Sequence, residues 1–401
     1  MNRYKSWILT DAHGDVWLDS FAASNDTLRL PTPFDWSIRK RTLRGGLRDG
    51  VDLIEVHNGA LAFSVLPTRG MGLWRADYHG LSLGWRSPVE GPVHPKYVNA
   101  LDRGGLGWLG GFDELLCRCG IASNGPPGDD SWTDASGAAR REQLTLHGRI
   151  ANLPAGAVEV SVNLDPPYEL MVTGEVEEAA LFFAQLRLRT TYTTVPGSNR
   201  LVITDRVENR GARPVEMQML YHTNLGPPFL EAGSRVLAPF REMSPMTPRA
   251  AAGIDTYETC GGPVPGFAEQ VYAYDLIADK HGQTLALLEN ASASRAVCLR
   301  WSRESLPCFT VWKNTMAMEE GYVTGLEPGT NYPNFRGYER KQGRVRLLPP
   351  GGSWSSRLSI EVADTPQGVM ELTSEVATLQ AQAKAVVHRT PQAKMSANGV
   401  Q

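Results

Sequence analysis

The sequence predicts an all-β protein, built as a large sandwich of antiparallel sheets, and three observations support this prediction. Short apolar or alternating runs, such as 51–56 and 157–162, recur along the 401 residues and match the two-residue period of strands. Gly (40) and Pro (27) are spread between these runs, as turns between many short strands require. Few segments have a helical period, which disfavours alternating strand–helix units.

The strand pattern continues to about residue 364, and the pattern then changes. We expect one large β-sandwich domain over 1–364, with a long polar loop over 122–142. From Gln367 the apolar residues recur at helical spacing, which predicts a C-terminal helix over 365–388. The remaining residues, 389–401, are predicted to be a disordered tail. The apolar face of the predicted helix consists of Val376, Leu379, Ala383 and Val387.

Composition excludes several classes of protein. Lys and Arg number 40 and Asp and Glu 43, for a formal charge of −3, whereas nucleic-acid-binding proteins usually carry a basic face. The N-terminus has no apolar core of a signal peptide, and no run approaches the roughly 18 apolar residues of a membrane span. We therefore expect a cytoplasmic protein with no nucleic-acid or membrane partner. The sequence is compatible with a homodimer.

No motif predicts a metal or an organic cofactor. The five cysteines are too few for a disulfide framework in a chain of this length, and Cys117 and Cys119 have no second Cys/His pair at ligand spacing. Residues 105–110 match G-x-G-x-x-G, but no strand closely precedes them and no acidic residue follows in a strand–helix–strand pattern. We expect buried thiols, no metal and no cofactor.

Two segments carry the chemistry that the sequence favours. His222 ends an apolar run and is followed by Asn224 and by a Gly-Pro-Pro turn. Glu327 ends another apolar run before Pro328 and a glycine. Strands that break in this way deliver side chains to the rim of a sheet, where a histidine and a carboxylate can act as proton donor and acceptor. For each residue the competing interpretation is structural: a hydrogen-bonded histidine, or a surface glutamate before a turn.

Further polar residues follow strand-like runs and are candidates for substrate binding. His147 precedes a glycine at a strand end. Arg69 lies in a Gly-flanked turn, and its guanidinium would suit vicinal hydroxyls or a carboxylate. Lys313 follows Trp312, a combination typical of sugar pockets, and Asp113 lies on a Gly-rich loop. The structural alternatives are a turn residue, a surface ion pair, a core tryptophan and a solvated carboxylate.

As a set, these residues resemble a known family. The segment 222–226 resembles the histidine–asparagine–leucine signature of aldose 1-epimerases (galactose mutarotases), 326–333 resembles their C-terminal glutamate motif, and 147–148 resembles their earlier His-Gly. The segments 50–56, 67–71, 83–88 and 110–115 are similar to an uncharacterised bacterial subfamily of aldose 1-epimerase-like proteins. The resemblance runs from about Trp36 to Val362.

The resemblance implies a fold and a set of roles. The implied fold is the galactose mutarotase-like supersandwich. The implied roles are general acid for His222 and general base for Glu327, while Asn224 and Asn331 fall within the matching motifs as substrate-binding candidates. Arg69 stands only approximately where that family has an Asn-Arg pair, and Asp255 has the approximate position of its sugar-binding aspartate.

The sequence thus predicts a cofactor-independent isomerase that interconverts the anomers of a sugar by acid–base ring opening. Two alternatives stay open at this stage. The same pair of residues could move a proton at a carbon of a keto-sugar or sugar acid, as an epimerase or isomerase does. The chain could instead be a non-catalytic carbohydrate-binding or sensor protein, because one scaffold hosts many functions.

Overall fold

Strands dominate the computed structural model, which describes residues 3–133 and 136–399. In chain order the strands are β1 (Tyr4–Asp11), β2 (Val16–Trp17), β3 (Ser20–Ser24), β4 (Ser37–Thr42), β5 (Asp52–His57), β6 (Leu61–Leu66), β7 (Gly72–Tyr78), β8 (Leu81–Leu83), β9 (Leu116–Ile121), β10 (Gly128–Thr133), β11 (Ala139–Leu144), β12 (Ala155–Asn163), β13 (Leu170–Ala179), β14 (Gln185–Thr194), β15 (Arg200–Asn209), β16 (Val215–Leu225), β17 (Arg235–Leu237), β18 (Phe240–Pro245), β19 (Gln270–Leu276), β20 (Gln283–Glu289), β21 (Ala296–Ser302), β22 (Cys308–Asn314), β23 (Val323–Gly329), β24 (Arg346–Leu348), β25 (Ser353–Ala363) and β26 (Val386–Val387).

Helices are short except for the last one. The α-helices are α1 (Asn25–Leu28), α2 (Asp102–Gly105), α3 (Pro248–Ala252), α4 (Arg336–Lys341) and α5 (Pro366–Gln380). Single 3-10 turns lie at Gly46–Arg48, Pro95–Tyr97, Gly107–Gly111, Ile150–Asn152, Ile254–Thr256 and Met318–Glu320. No helix in the described part of the chain is long and apolar enough to cross a membrane.

Two large sheets form the sandwich. The first has ten strands in the order β17-β20-β21-β25-β15-β14-β13-β12-β1-β2. The second has 14 strands, with β26-β18-β19-β22-β23-β16-β9-β7-β6-β5-β4-β3 as its path and with β24 and β8 paired to β16 and β7. Nearly all neighbouring strands are antiparallel. The all-β prediction and its antiparallel sheets are confirmed.

The core lies between the two sheets. Because side chains alternate along a strand, the inner face of the 14-stranded sheet presents Tyr221, Leu326 and Val311 to Ile203 and Leu358 of the ten-stranded sheet. All five side chains are wholly buried. The intervening residues of β9, β16, β22 and β23 therefore point to the opposite, outer face of the 14-stranded sheet.

Helix α5 covers part of the ten-stranded sheet but ends earlier than the sequence predicts. It begins after Thr365, whose hydroxyl accepts a hydrogen bond from the Gly368 amide, and it packs Val369, Leu372, Val376 and Leu379 onto that sheet. The helix ends at Gln380, not at residue 388, and the side chain of Gln380 hydrogen-bonds the backbone of Phe240. Val386 and Val387 then form β26, which pairs in parallel with β18.

The segment after β26 is packed, which corrects the prediction of a disordered tail for its described part, 389–399. Met395 is 3% exposed and lies in an apolar cluster with Met246, Ala273 and Tyr332. The Ser396 hydroxyl donates to the Met246 carbonyl at 2.7 Å. The sequence shows no apolar periodicity here, because hydrogen bonds and a buried methionine, rather than an apolar face, hold the segment.

The predicted polar loop 122–142 also contains structure. Strands β10 and β11 form a separate two-stranded sheet. Asp130 of β10 accepts hydrogen bonds from Arg336 and Arg340 of α4, at 2.6 and 2.7 Å. This ion-pair cluster fixes the hairpin against the body of the protein, and β11 then leads directly to His147.

Candidate functional site

His222 and Glu327 meet on the outer face of the 14-stranded sheet. The register that pairs Thr223 with Leu326 sets His222 of β16 beside Glu327 of β23. The Nε2 atom of His222 lies 3.2 Å from Oε1 of Glu327. The two residues are only 5% and 3% exposed, so the contact is shielded from water.

Asn224 fixes the orientation and tautomer of His222. The Asn224 Nδ2 group donates to the backbone carbonyls of Glu114 and His222, at 3.0 and 3.1 Å. Its Oδ1 must therefore be the acceptor in the 2.6 Å contact with His222 Nδ1, which places a hydrogen on Nδ1. In a neutral His222, Nε2 is then a bare acceptor facing Glu327.

His147 is the third residue of the group. Its ring centroid lies 5.5 Å from that of His222, and its Nδ1 donates to the Asn124 carbonyl at 2.9 Å. The Asn124 side chain forms a reciprocal amide pair with Asn331, at 3.0 and 2.9 Å. Asn331 also donates to the Tyr332 carbonyl. Asn331 thus connects the segment that follows Glu327 to the loop that holds His147.

Aromatic rings surround the two histidines. Trp108 lies 4.7 Å from His147, and Phe112 and Trp312 lie 5.1 and 5.3 Å from His222, measured between ring centroids. The Trp312 indole N–H donates to Glu269 at 2.6 Å. These rings exclude water and offer apolar surfaces of the kind that pack against the faces of sugar rings.

Burial sets the protonation of the central pair. Desolvation raises the pKa of Glu327 well above its ordinary range. Desolvation, reinforced by the charge of His147, lowers the pKa of His222 to about 3. Both shifts disfavour the charged forms. Burial thus favours a proton on Glu327 over a proton on His222.

The pKa of His147 is shifted in the opposite direction from that of His222. Burial lowers the pKa of its imidazole, but the adjacent Cys119 thiol and the Asn124 carbonyl more than offset burial and raise the pKa to about 9. Burial acts against ionisation of Cys119, but hydrogen bonding from Cys117 and the charge of His147 lower its pKa to about 6. These shifts favour a proton on His147 over one on Cys119; a positive His147 stabilises a carboxylate at Glu327, whereas a negative Cys119 opposes it.

A glycine makes room for the Glu327 carboxylate. A Cβ atom at Gly325 would lie 2.6 Å from Oε1 of Glu327 and 3.3 Å from atoms of Trp312. The glutamate side chain thus folds back over the bare backbone of Gly325. A larger residue at this position would push the carboxylate away from His222.

Arg69 and Asp113 lie in the neighbouring loops and contact protein groups. The Arg69 guanidinium pairs with Glu114 at 2.6 Å and donates to the Val93 and Gly111 carbonyls. Asp113 accepts from the Trp74 indole at 2.8 Å, and burial raises its pKa to about 7. The structure does not bring either side chain into contact with His222 or Glu327.

Lys313 is on the other face of the sheet. It follows Trp312 on β22, so the two side chains point in opposite directions. The Lys313 ammonium donates to the carbonyls of Thr256 and Thr259, at 2.8 and 3.0 Å, and burial lowers its pKa to about 8. The structure therefore separates Lys313 from the histidine–glutamate pair by the thickness of the sheet.

Sequence reasoning missed several residues of the site. Trp108 lies within the glycine-rich motif that was considered only as a nucleotide site, and the isolated tryptophan among glycines was a usable signal. Asn124 and Cys119 gave no signal, because their roles depend on contacts with His147 that only the fold creates.

Asp255 is exposed and pairs with Arg389. In the described ranges 3–133 and 136–399, no three His, Cys, Asp or Glu side chains cluster as metal ligands would.

The fold is that of galactose mutarotase-like proteins, and comparison with known proteins identifies the family. The family described as "Domain of unknown function (DUF4432)" matches residues 48–362. Since this is most of the chain, the protein belongs to the DUF4432 family. No curated protein sequence matches the chain.

Solved structures agree with this assignment. A Klebsiella pneumoniae protein with the provisional name aldose 1-epimerase is 36% identical, with a TM-score of 0.91, over 97% of this chain and 99% of that one. A galactose mutarotase-like protein from Clostridium acetobutylicum is 16% identical, with a TM-score of 0.57, over 82% and 98% of the two chains. Galactose 1-epimerase from Lactobacillus acidophilus is 13% identical, with a TM-score of 0.52, over 81% and 98%. The two distant matches support the supersandwich fold alone.

Proposed function

We propose that this protein is an isomerase that interconverts the anomers of an aldose by opening and closing the sugar ring. The observation that carries the proposal is the buried contact of 3.2 Å between His222 Nε2 and Glu327 Oε1. The anomeric hydroxyl and the ring oxygen are bonded to the same carbon, so two adjacent groups that share one proton can serve both. The name of the 36% identical relative points to the same reaction.

The proposed reaction begins with transfer of the shared proton from Glu327 to His222 as the sugar binds. The positive charge of His147 stabilises the Glu327 carboxylate but opposes the His222 imidazolium, so the transfer depends on the bound sugar, whose ring oxygen accepts the proton from His222. Glu327 then removes the proton of the anomeric hydroxyl while His222 protonates the ring oxygen, and the C1–O bond of the ring breaks. Asn224 holds the imidazole in the tautomer that this transfer requires.

Ring closure reverses the two roles. After rotation about the C1–C2 bond, neutral His222 takes the proton of the newly formed hydroxyl, and protonated Glu327 gives its proton to the carbonyl oxygen. The pair then holds the same proton as before the reaction. Acid–base assistance of this kind contributes about 10²–10⁴-fold, and the proposed step routes no bond change through a cofactor.

The test measures anomer interconversion by NMR or polarimetry over a panel of aldoses. We expect Glu327→Gln and His222→Ala each to lose about 10²–10⁴-fold in kcat. Glu304→Gln and His281→Ala change exposed residues of the same types and should keep wild-type rates. Equal rates for all five proteins would refute the proposal.

The same samples separate the alternatives. Mutarotation exchanges no C–H bond, so solvent deuterium appearing at a carbon of the sugar would identify epimerisation or isomerisation through a C–H proton instead. Tight sugar binding that is unchanged in Glu327→Gln, with no turnover in the wild type, would identify a carbohydrate-binding protein.

A further inference from the structure

Two polar side-chain atoms beside the histidine–glutamate pair have no hydrogen-bond partner in the protein. They are the indole Nε1 of Trp108 and the hydroxyl Oγ1 of Thr310. The two residues are only 2% and 1% exposed, so neither atom is hydrated from outside. By contrast, the buried amides of Asn124, Asn224 and Asn331 in the same site are all hydrogen-bonded.

Both atoms belong to residues of the proposed reaction site. Thr310 of β22 is the direct cross-strand partner of Glu327, so the two side chains lie on the same face with Cβ atoms about 4.5–5.5 Å apart. Trp108 packs its ring against His147 at 4.7 Å and lies 6.4 Å from His222. A sugar bound at Glu327 would therefore lie next to the Thr310 side chain.

The lack of hydrogen-bond partners for these two atoms destabilises the ligand-free protein. A buried polar group without a partner costs about 1–3 kcal/mol, whereas an apolar group of the same shape avoids that cost. Valine has nearly the shape of threonine, and phenylalanine could fill much of the space of the Trp108 ring. A ligand that supplies the missing partners would remove the cost when it binds.

We propose that Trp108 Nε1 and Thr310 Oγ1 bind two hydroxyl groups of the sugar that reacts between His222 and Glu327, and so select a neutral aldose. This inference rests on the proposed function. The indole N–H donates to a hydroxyl oxygen, and the threonine hydroxyl both donates and accepts. Both are neutral groups, which suit hydroxyls better than phosphate or carboxylate. Arg69 and Lys313, the cations predicted to bind substrate, donate to protein acceptors.

The sequence provides a matched control for each residue. Thr223 also has a buried, unpartnered hydroxyl, but it points from β16 into the core, on the opposite face from His222. Trp36 likewise has an unpartnered buried indole N–H, in the main core. The variants Thr310→Val and Thr223→Val, and Trp108→Phe and Trp36→Phe, remove the same chemical group inside and outside the site.

The experiment measures kcat, KM and the melting temperature of the four variants, with and without an aldose that the wild type converts. We expect Thr310→Val and Trp108→Phe to lose about 3- to 10-fold in kcat/KM, the range of one neutral hydrogen bond, and to lose part of the melting shift caused by the sugar. Thr223→Val and Trp36→Phe should keep the wild-type kcat/KM and the wild-type melting shift caused by the sugar. Thr310→Val should melt no lower than the wild type.

Deoxy sugars make the assignment specific. For the deoxy analogue that lacks the hydroxyl bound by Thr310, the wild type and Thr310→Val should have equal kcat/KM. For the analogue that lacks the hydroxyl bound by Trp108, the wild type and Trp108→Phe should have equal kcat/KM. Wild-type behaviour of both site variants, with Glu327→Gln inactive, would overturn this inference and leave the proposed function intact. A wild-type protein that neither binds nor converts any neutral aldose would overturn both.

Discussion

Gly325 is the residue on which the position of the Glu327 carboxylate depends. We predict that Gly325→Ala keeps the fold but loses at least about 100-fold in kcat, since the added Cβ would lie 2.6 Å from Oε1 of Glu327 and a shift of about 1 Å can have that effect. The check is kcat together with the melting temperature. Gly156→Ala is the control, because no atom lies within 4 Å of a Cβ at that strand position. An active Gly325→Ala protein would contradict the prediction.

The depressed pKa of His222 predicts a pH dependence of stability. The unfolded chain binds a proton at this histidine below its ordinary pKa of 6.5, whereas the folded protein resists protonation down to about 3. The contribution of His222 is therefore present above pH 6.5 and is lost as pH falls from 6.5 towards 3. His222→Gln should flatten this part of the profile in urea unfolding between pH 7 and 4.

The exposed residue His281 supplies the control for this measurement. His281→Gln should follow the wild-type profile over the same pH range. A His222→Gln protein whose stability falls with acid as steeply as that of the wild type would show that His222 is not the group responsible.

Among the candidate site residues, the sequence identified those that lie at the end of an apolar strand. His222, Glu327 and His147 each precede a break in an apolar run, and the fold brings all three together. Arg69 and Lys313 have equally suggestive neighbours, but whether a side chain faces the site depends on sheet register and on its partners across the chain. Those are long-range properties, and no local pattern encodes them.

The segment after β26 is an element whose packing predicts a measurable stability. Met395 lies on the outer face of the 14-stranded sheet, against Met246 and Ala273. Met395→Ala should lower the free energy of unfolding by about 2–5 kcal/mol, the range for truncating a buried methionine. Met370→Ala, at a position 54% exposed on α5, should change it by less than about 0.5 kcal/mol.

Urea unfolding followed by tryptophan fluorescence measures both variants. Equal stability of Met395→Ala and wild type would mean that the segment 389–399 does not contribute to the folded domain. The sequence did not reveal this element, since one methionine among small and polar residues has no periodicity. The strands of the two large sheets, in contrast, have the two-residue period that the sequence analysis uses.

At the scale of the whole molecule, a buried ion pair joins the two sheets. Arg118 of β9 contacts Asp205 of β15 through two hydrogen bonds, at 2.5 and 3.0 Å, and the Tyr221 hydroxyl donates to the same carboxylate at 2.7 Å. Arg118→Met would leave Asp205 charged and unpaired in the core. We predict a loss of about 3–5 kcal/mol in the free energy of unfolding.

Two comparisons make this prediction specific. Arg41→Met breaks an exposed pair with Glu55 and should cost at most about 1 kcal/mol. The double variant Arg118→Met/Asp205→Leu should recover much of the loss, because it removes the uncompensated charge. A single variant Arg118→Met that is no less stable than Arg41→Met would refute the structural role of the pair.

The alternation along β16 has an evolutionary consequence. Tyr221 packs in the core while its neighbour His222 lies in the candidate site, so the two sides of one strand would contribute to stability and to the proposed reaction. Inserting or deleting a single residue before this point would exchange the two sides, burying an imidazole in the core and exposing a phenol to the substrate. Homologues should therefore vary in the lengths of the flanking turns while the length of this strand stays constant.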